Sequence, residues 1–181
     1  MTLDRSALVE AMQQAGYLEN PAPPAALRWA DTFLEAYGER IASAVDALPY
    51  VDALRAESAV VPALELERLR NRQVLFFLDT VSQYVDDQSE LRGLRVGDDV
   101  PAIADEFGIA REDALRVVRM ALTGLEDGPP LELLFPLLGH DRIMMRIGAI
   151  SSHLLHGRGL EPIRFGPDGK PFETIEAKKP S

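Results

Sequence analysis

The sequence predicts an all-α protein: two packed helical subdomains followed by a short tail. Three observations predict it. Apolar residues recur at intervals of three and four over most of the chain. Gly and Pro punctuate those stretches. A strand-like texture appears only after Glu161.

The elements follow in order. Ser6 to Tyr17 opens on a Ser cap, places Leu8, Val9 and Met12 near helical spacing and stops at Gly16. Asn20-Pro21-Ala22-Pro23-Pro24 is a linker that no helix crosses. A long helical stretch comes next, with Leu27, Ala30, Phe33, Leu34, Tyr37, Ile41, Val45 and Leu48 spaced by three and four, punctuated by Pro49 and then Pro62. Leu64 to Tyr84 is a further amphipathic helix carrying Leu66, Leu69, Val74, Phe77, Leu78 and Val81.

Asp86-Asp87, Gly93, Gly97 and Asp98-Asp99 form a polar break, so the subdomains are expected at 1–97 and 98–156, with a tail at 157–181. Beyond the break, short helices are expected over Pro101–Phe107, Glu112–Leu122, Pro130–Leu138 and Arg142–Leu155, separated by Gly108, Gly124, Gly128-Pro129 and Gly139. In the tail, Ile163-Arg164-Phe165, Gly166-Pro167-Asp168-Gly169 and Phe172-Glu173-Thr174-Ile175 read as a small β-hairpin or an ordered extension. Its Gly-Pro-Asp-Gly-Lys lacks the spacing of a phosphate-binding loop and reads as a turn. Trp29, Tyr37 and the Phe76-Phe77 pair are expected in the core.

Composition narrows the function. The 181 residues are 46% apolar and 27% charged, the balance of a globular protein. No apolar run reaches the roughly 20 residues that span a bilayer, and Met1 to Arg5 has no cationic lead, so no membrane association and a cytoplasmic location are expected. The absence of cysteine excludes disulfides, thiolate metal sites and cysteine nucleophiles. His153 and His156 share a helical face near His140, but no Asp or Glu falls at helical spacing beside the pair, so neither a metal nor a cofactor is expected.

The net charge of −10 is unevenly placed. Residues 1–110 carry nine Arg against nineteen acids, whereas 111–164 carry seven of each. Phosphate neutralisation supplies most non-specific affinity for nucleic acid. Any RNA contact must therefore come from a local patch, and the neutral, Arg-bearing part is the better place for one.

The run Leu115-Arg116-Val117-Val118-Arg119-Met120-Ala121-Leu122-Thr123-Gly124 is the informative one. It continues through Gly128-Pro129-Pro130-Leu131-Glu132-Leu133-Leu134-Phe135-Pro136-Leu137-Leu138-Gly139 to Asp141-Arg142-Ile143. This string resembles the terminal subdomain of bacterial-type glutamyl-tRNA synthetases, where Arg-x-Ala-Leu-Thr-Gly precedes Gly-Pro-x-Leu, an apolar helix ending in Leu-Leu-Gly and an Arg-containing final helix. Phe33 to Leu48, with Glu39-Arg40-Ile41, looks like that family's preceding helical subdomain, and the resemblance extends over about residues 1–150.

The resemblance implies a tRNA partner, tRNA(Glu)-like, engaged at the anticodon arm. It assigns Arg119 to reading an anticodon base, Gly128, Pro129 and Leu131 to packing on the middle base, and Arg40 to a second base contact. Arg116, Arg142 and Arg146 would lie near phosphates. A planar guanidinium both stacks on a splayed base and hydrogen-bonds its edge. The chain carries neither a His-Ile-Gly-His nor a Lys-Met-Ser-Lys-Ser run, so no catalytic residue is expected, and aminoacylation would require a separate catalytic partner. A stand-alone paralogue, half of a split synthetase and a fragment of a longer chain all fit.

Two other readings stay open. The scaffold could serve protein interaction, with the acidic first half as its surface. Alternatively, Ala104 to Leu115 has the pattern of a helix-turn-helix, although the would-be recognition helix begins Arg111-Glu112-Asp113, poor electrostatics for DNA.

Overall fold

Asp4, not Ser6, caps the first helix: its carboxylate accepts the Ala7 N–H at 2.9 Å, and α1 runs Arg5–Gln14. The structure, a computed structural model, describes residues 3–62, 65–66 and 69–156, with side chains to 152. The expected hairpin and the His153 and His156 side chains lie outside these. Among the described residues there are eight α-helices, one 3-10 turn and no strand, so the fold is all-α.

Pro24 starts α2 (Pro24–Tyr37), where the missing N–H costs nothing. The expected continuous helix to Leu48 is broken. After α2 come the 3-10 turn Gly38–Arg40 and an extended Ile41, and Ser43 then caps α3 (Ala44–Arg55) by accepting the Asp46 N–H at 3.3 Å. Pro49 sits inside α3 and does not end it.

The helix expected from Leu64 to Tyr84 also divides: Asn71 accepts the Gln73 N–H at 2.8 Å and starts α4 (Arg72–Asp86). Phe77 is fully buried, but its neighbour Phe76 is 48% exposed with the Arg72 guanidinium over its ring, which corrects the expectation that both are core. The remaining helices are α5 (Val96–Asp105), α6 (Arg111–Thr123), α7 (Leu131–Leu138) and α8 (His140–His156). Asp98 and Asp99 are not linker but the acidic first turn of α5, where carboxylates suit the helix dipole. Asp99 also accepts the Tyr84 hydroxyl at 2.8 Å.

One hydrophobic core runs from Leu3 to Ile150. Within it α8 packs on α4, α7 on α2, and α5 on α6. Glu132 of α7 stitches the second half together by accepting the Gly97 N–H at 2.7 Å, one of the unpaired donors opening α5. Glu132→Ala should lower stability by about 1 kcal/mol, the scale of a lost helix cap, measurable by urea denaturation. No helix among the described residues is long and apolar enough to cross a membrane.

Candidate nucleic-acid interface

The turn after α6 is shaped by its own side chains. Gly124 closes the helix in the left-handed conformation, φ 73°, with its N–H on the Met120 carbonyl at 2.8 Å. The Thr123 hydroxyl donates to the Arg119 carbonyl at 2.8 Å, and its oxygen accepts the Leu125 N–H at 3.2 Å. Arg119 donates one terminal guanidinium N–H to the Glu126 carbonyl at 3.1 Å. The same side chain runs beside Gly128, where an added Cβ would lie 3.5 Å from Arg119 Cδ. The turn is thus wrapped around Arg119. From the other side the Val60 carbonyl presses so closely on Gly124 that a Cβ there would collide with it.

Where these segments meet lies a cavity of about 430 Å³. Tyr37 and Arg40 line it from the end of α2 and the 3-10 turn, and Tyr50, Ala53 and Leu54 from α3. The segment after α3 contributes Ala56 and Ser58 to Val60, and the turn after α6 contributes Thr123, Leu125, Asp127, Gly128 and Pro129. Val60 and Leu125 are 89% and 62% exposed. Arg40 is exposed and has no hydrogen-bond or ion-pair partner among the described residues.

Arg146 also lines the cavity but is only 2% exposed. One terminal nitrogen donates to the Leu122 carbonyl at 2.6 Å, the other to the Ala53 and Ala56 carbonyls at 2.7 and 2.6 Å. These are unpaired carbonyls at the ends of α6 and α3. One turn earlier, Arg142 donates from Nε to the Arg55 carbonyl at 2.9 Å. The two arginines together cap the C-terminus of α3, where the helix dipole favours cations. Burial, and then the neighbouring Arg142, lower the Arg146 pKa, and Tyr37 offsets part of this.

The structure therefore brings Arg40, Gly128, Pro129 and the buried Arg146 together at one cavity and places Arg119, Arg116, Leu131 and Arg142 outside its lining. Arg119 lies along the turn, and its Nε is buried without a partner. Arg116 is exposed but paired with Asp113 at 2.9 Å and close to Glu126. Leu131 is 1% exposed, a core residue that anchors the turn. Arg142 and Arg146, expected near phosphates, bond backbone carbonyls instead: a buried guanidinium needs acceptors for its protons, and the ends of α3 and α6 supply them to Arg146.

Arg111 is likewise occupied, bonded to the Gly97 carbonyl at 2.7 Å and 3.4 Å from Asp98, so the helix-turn-helix reading loses the one cation that opens its helix. That ion pair and Arg95 hold the Asp98 carboxyl below its ordinary pKa, with Arg95 the larger influence. His140 sits 3.4 Å from Asp86 and 3.6 Å from Asp141.

Sequence reasoning missed Tyr50, Val60 and Leu125. The only hint was that Val60 and Leu125 are apolar residues outside any helical period.

The all-α scaffold thus carries a turn-lined cavity that combines an exposed guanidinium, aromatic rings and a close-lying Gly-Pro backbone. The family described as an anticodon-binding domain matches residues 7–150, and the chain belongs to that family. It is also similar to glutamate–tRNA ligase 2 of Gluconacetobacter diazotrophicus, 41% identical over 46 residues. That stretch is 25% of this chain and 10% of that protein, so the chain spans a small part of the relative's length.

Proposed function

We propose that the chain is a non-catalytic tRNA-binding module that engages the anticodon arm of a tRNA(Glu)-like partner through the cavity beside Arg40. The observation that carries this reading is the meeting of Arg40 with Gly128-Pro129 at one cavity, although 87 residues separate Arg40 from Asp127 in sequence. The cavity's two walls come from residues 37–60 and 123–146, on either side of the subdomain boundary expected at 97/98. Family membership supports the same reading. Arg40 can hydrogen-bond or stack on an unpaired base, and the Gly128 backbone lets a flat group approach closely. Aminoacylation would then fall to a separate catalytic partner or domain, with the chain acting as a stand-alone paralogue or as part of a split or longer synthetase.

The test is binding of an anticodon stem-loop by fluorescence anisotropy at low salt. Arg40→Ala should weaken binding by about 1–3 kcal/mol, the scale of one lost base contact, with little change in the thermal melt, because Arg40 has no hydrogen-bond or ion-pair partner among the described residues. Absence of binding to total tRNA at low salt would sink the proposal.

The exposed Val60 and Leu125 favour a second reading, in which the same rim receives a protein. A pull-down after nuclease treatment separates the two: a retained protein partner and no bound RNA would favour this reading.

A further inference from the structure

Four aromatic rings form a continuous column along α2 and onto α3. Trp29 stacks on Phe33 with centroids 5.3 Å apart, Phe33 meets Tyr37 at 5.1 Å, and Tyr37 meets Tyr50 at 5.3 Å. The inner members are fixed. Phe33 is fully buried, Tyr37 is 9% exposed, and the Trp29 indole N–H donates to the Leu137 carbonyl at 2.8 Å. The column leaves the protein at Tyr50, which is 41% exposed and lines the cavity that Arg40 enters. Aromatic pairs gain from offset or tilted contact beyond the area they bury. Tyr50 is an exposed ring at the end of this row, held from behind by the Tyr37 ring, whose plane is tilted 55° to its own, and its exposed part is available for a further ring to stack on.

We propose that Tyr50 is the platform on which one unpaired base of the bound RNA loop stacks, as a fifth ring in the column, with Arg40 holding that base from the side. This rests on the RNA-binding reading and adds a residue that neither sequence motif contained. Base–aromatic stacking needs no phosphate neutralisation, so it suits an acidic chain, where the field around residues 1–110 opposes polyanions. Preorganisation matters as well. The Tyr37 ring behind Tyr50 limits the freedom that would otherwise be lost on binding.

The experiment uses the full chain and anticodon stem-loop RNAs carrying 2-aminopurine at each loop position in turn, read by fluorescence quenching and by affinity. Wild-type protein should change the quenching of one position markedly. Tyr50→Phe should keep both that signal and the affinity, because the ring remains. Tyr50→Leu should weaken binding on the order of tenfold or more and abolish the signal at that position alone. The salt dependence of binding should be unchanged, and circular dichroism should show the variant folded. If Tyr50→Leu binds and quenches as wild type does, Tyr50 is not the platform and the RNA-binding reading stands without it. Failure of the wild-type chain to bind any of the RNAs would overturn both.

Discussion

Replacing Arg146 by alanine is expected to remove about 3 kcal/mol or more of folding stability, a large share of the ~5–15 kcal/mol that a domain of this kind holds. The guanidinium is buried and has no carboxylate partner among the described residues; the backbone carbonyls of Leu122, Ala53 and Ala56, with that of Leu54 more distant at 3.4 Å, take its protons. Truncation leaves these carbonyls without their donor: that of the fully buried Leu122 is left unsatisfied, at a cost of about 1–3 kcal/mol, whereas those of Ala53 and Ala56 border the cavity, where water can replace part of the loss. It also leaves a void between α3, α6 and α8. Arg146→Lys separates donor geometry from charge: an ammonium keeps the cation but cannot span carbonyls on two helices as a planar fork does. Lysine should therefore recover only part of the loss. Urea denaturation of both variants measures this, and an alanine variant within 1 kcal/mol of wild type would contradict the assignment.

The same arginine shows what a sequence can and cannot convey. The spacing of Arg142 and Arg146 places both on one helical face, and to a reader of charge alone that face belongs toward phosphate. Their partners are carbonyls ending α3, some ninety residues away, and nothing local announces them.

The α6–turn–α7 region was legible because its signals are local. Apolar spacing, a glycine after Thr123 and proline before Leu131 gave α6 and α7 almost their full extents. The break after Tyr37 was hidden for the opposite reason. Tyr37, Ile41, Val45 and Leu48 keep helical spacing across it, yet Ser43 caps a new helix and Val45 ends 70% exposed. The cavity was legible only in pieces. Arg40 and Gly128-Pro129 stood out through resemblance, whereas Tyr50, Val60 and Leu125 gain their meaning from packing alone.

Gly124→Ala carries the second large effect, and here stability and binding should fall together. Two costs are superimposed. At φ 73° an alanine is strained by about 1 kcal/mol. In addition, its Cβ would collide with the backbone carbonyl of Val60, an atom that cannot rotate aside as a side chain would. Either the segment 56–62 shifts outward or the turn after α6 does, and those are two walls of the cavity. Gly16→Ala provides the reference: its φ is 78° and nothing lies within 4 Å of the added carbon, so it carries the backbone cost alone. Gly124→Ala should therefore lose clearly more stability than Gly16→Ala, with an excess of about 1–3 kcal/mol on the scale of overpacking. Only Gly124→Ala should weaken anticodon stem-loop binding. Equal losses in the two variants would mean that the contact with Val60 relaxes freely. An undisturbed affinity in Gly124→Ala would move the binding surface away from this cavity.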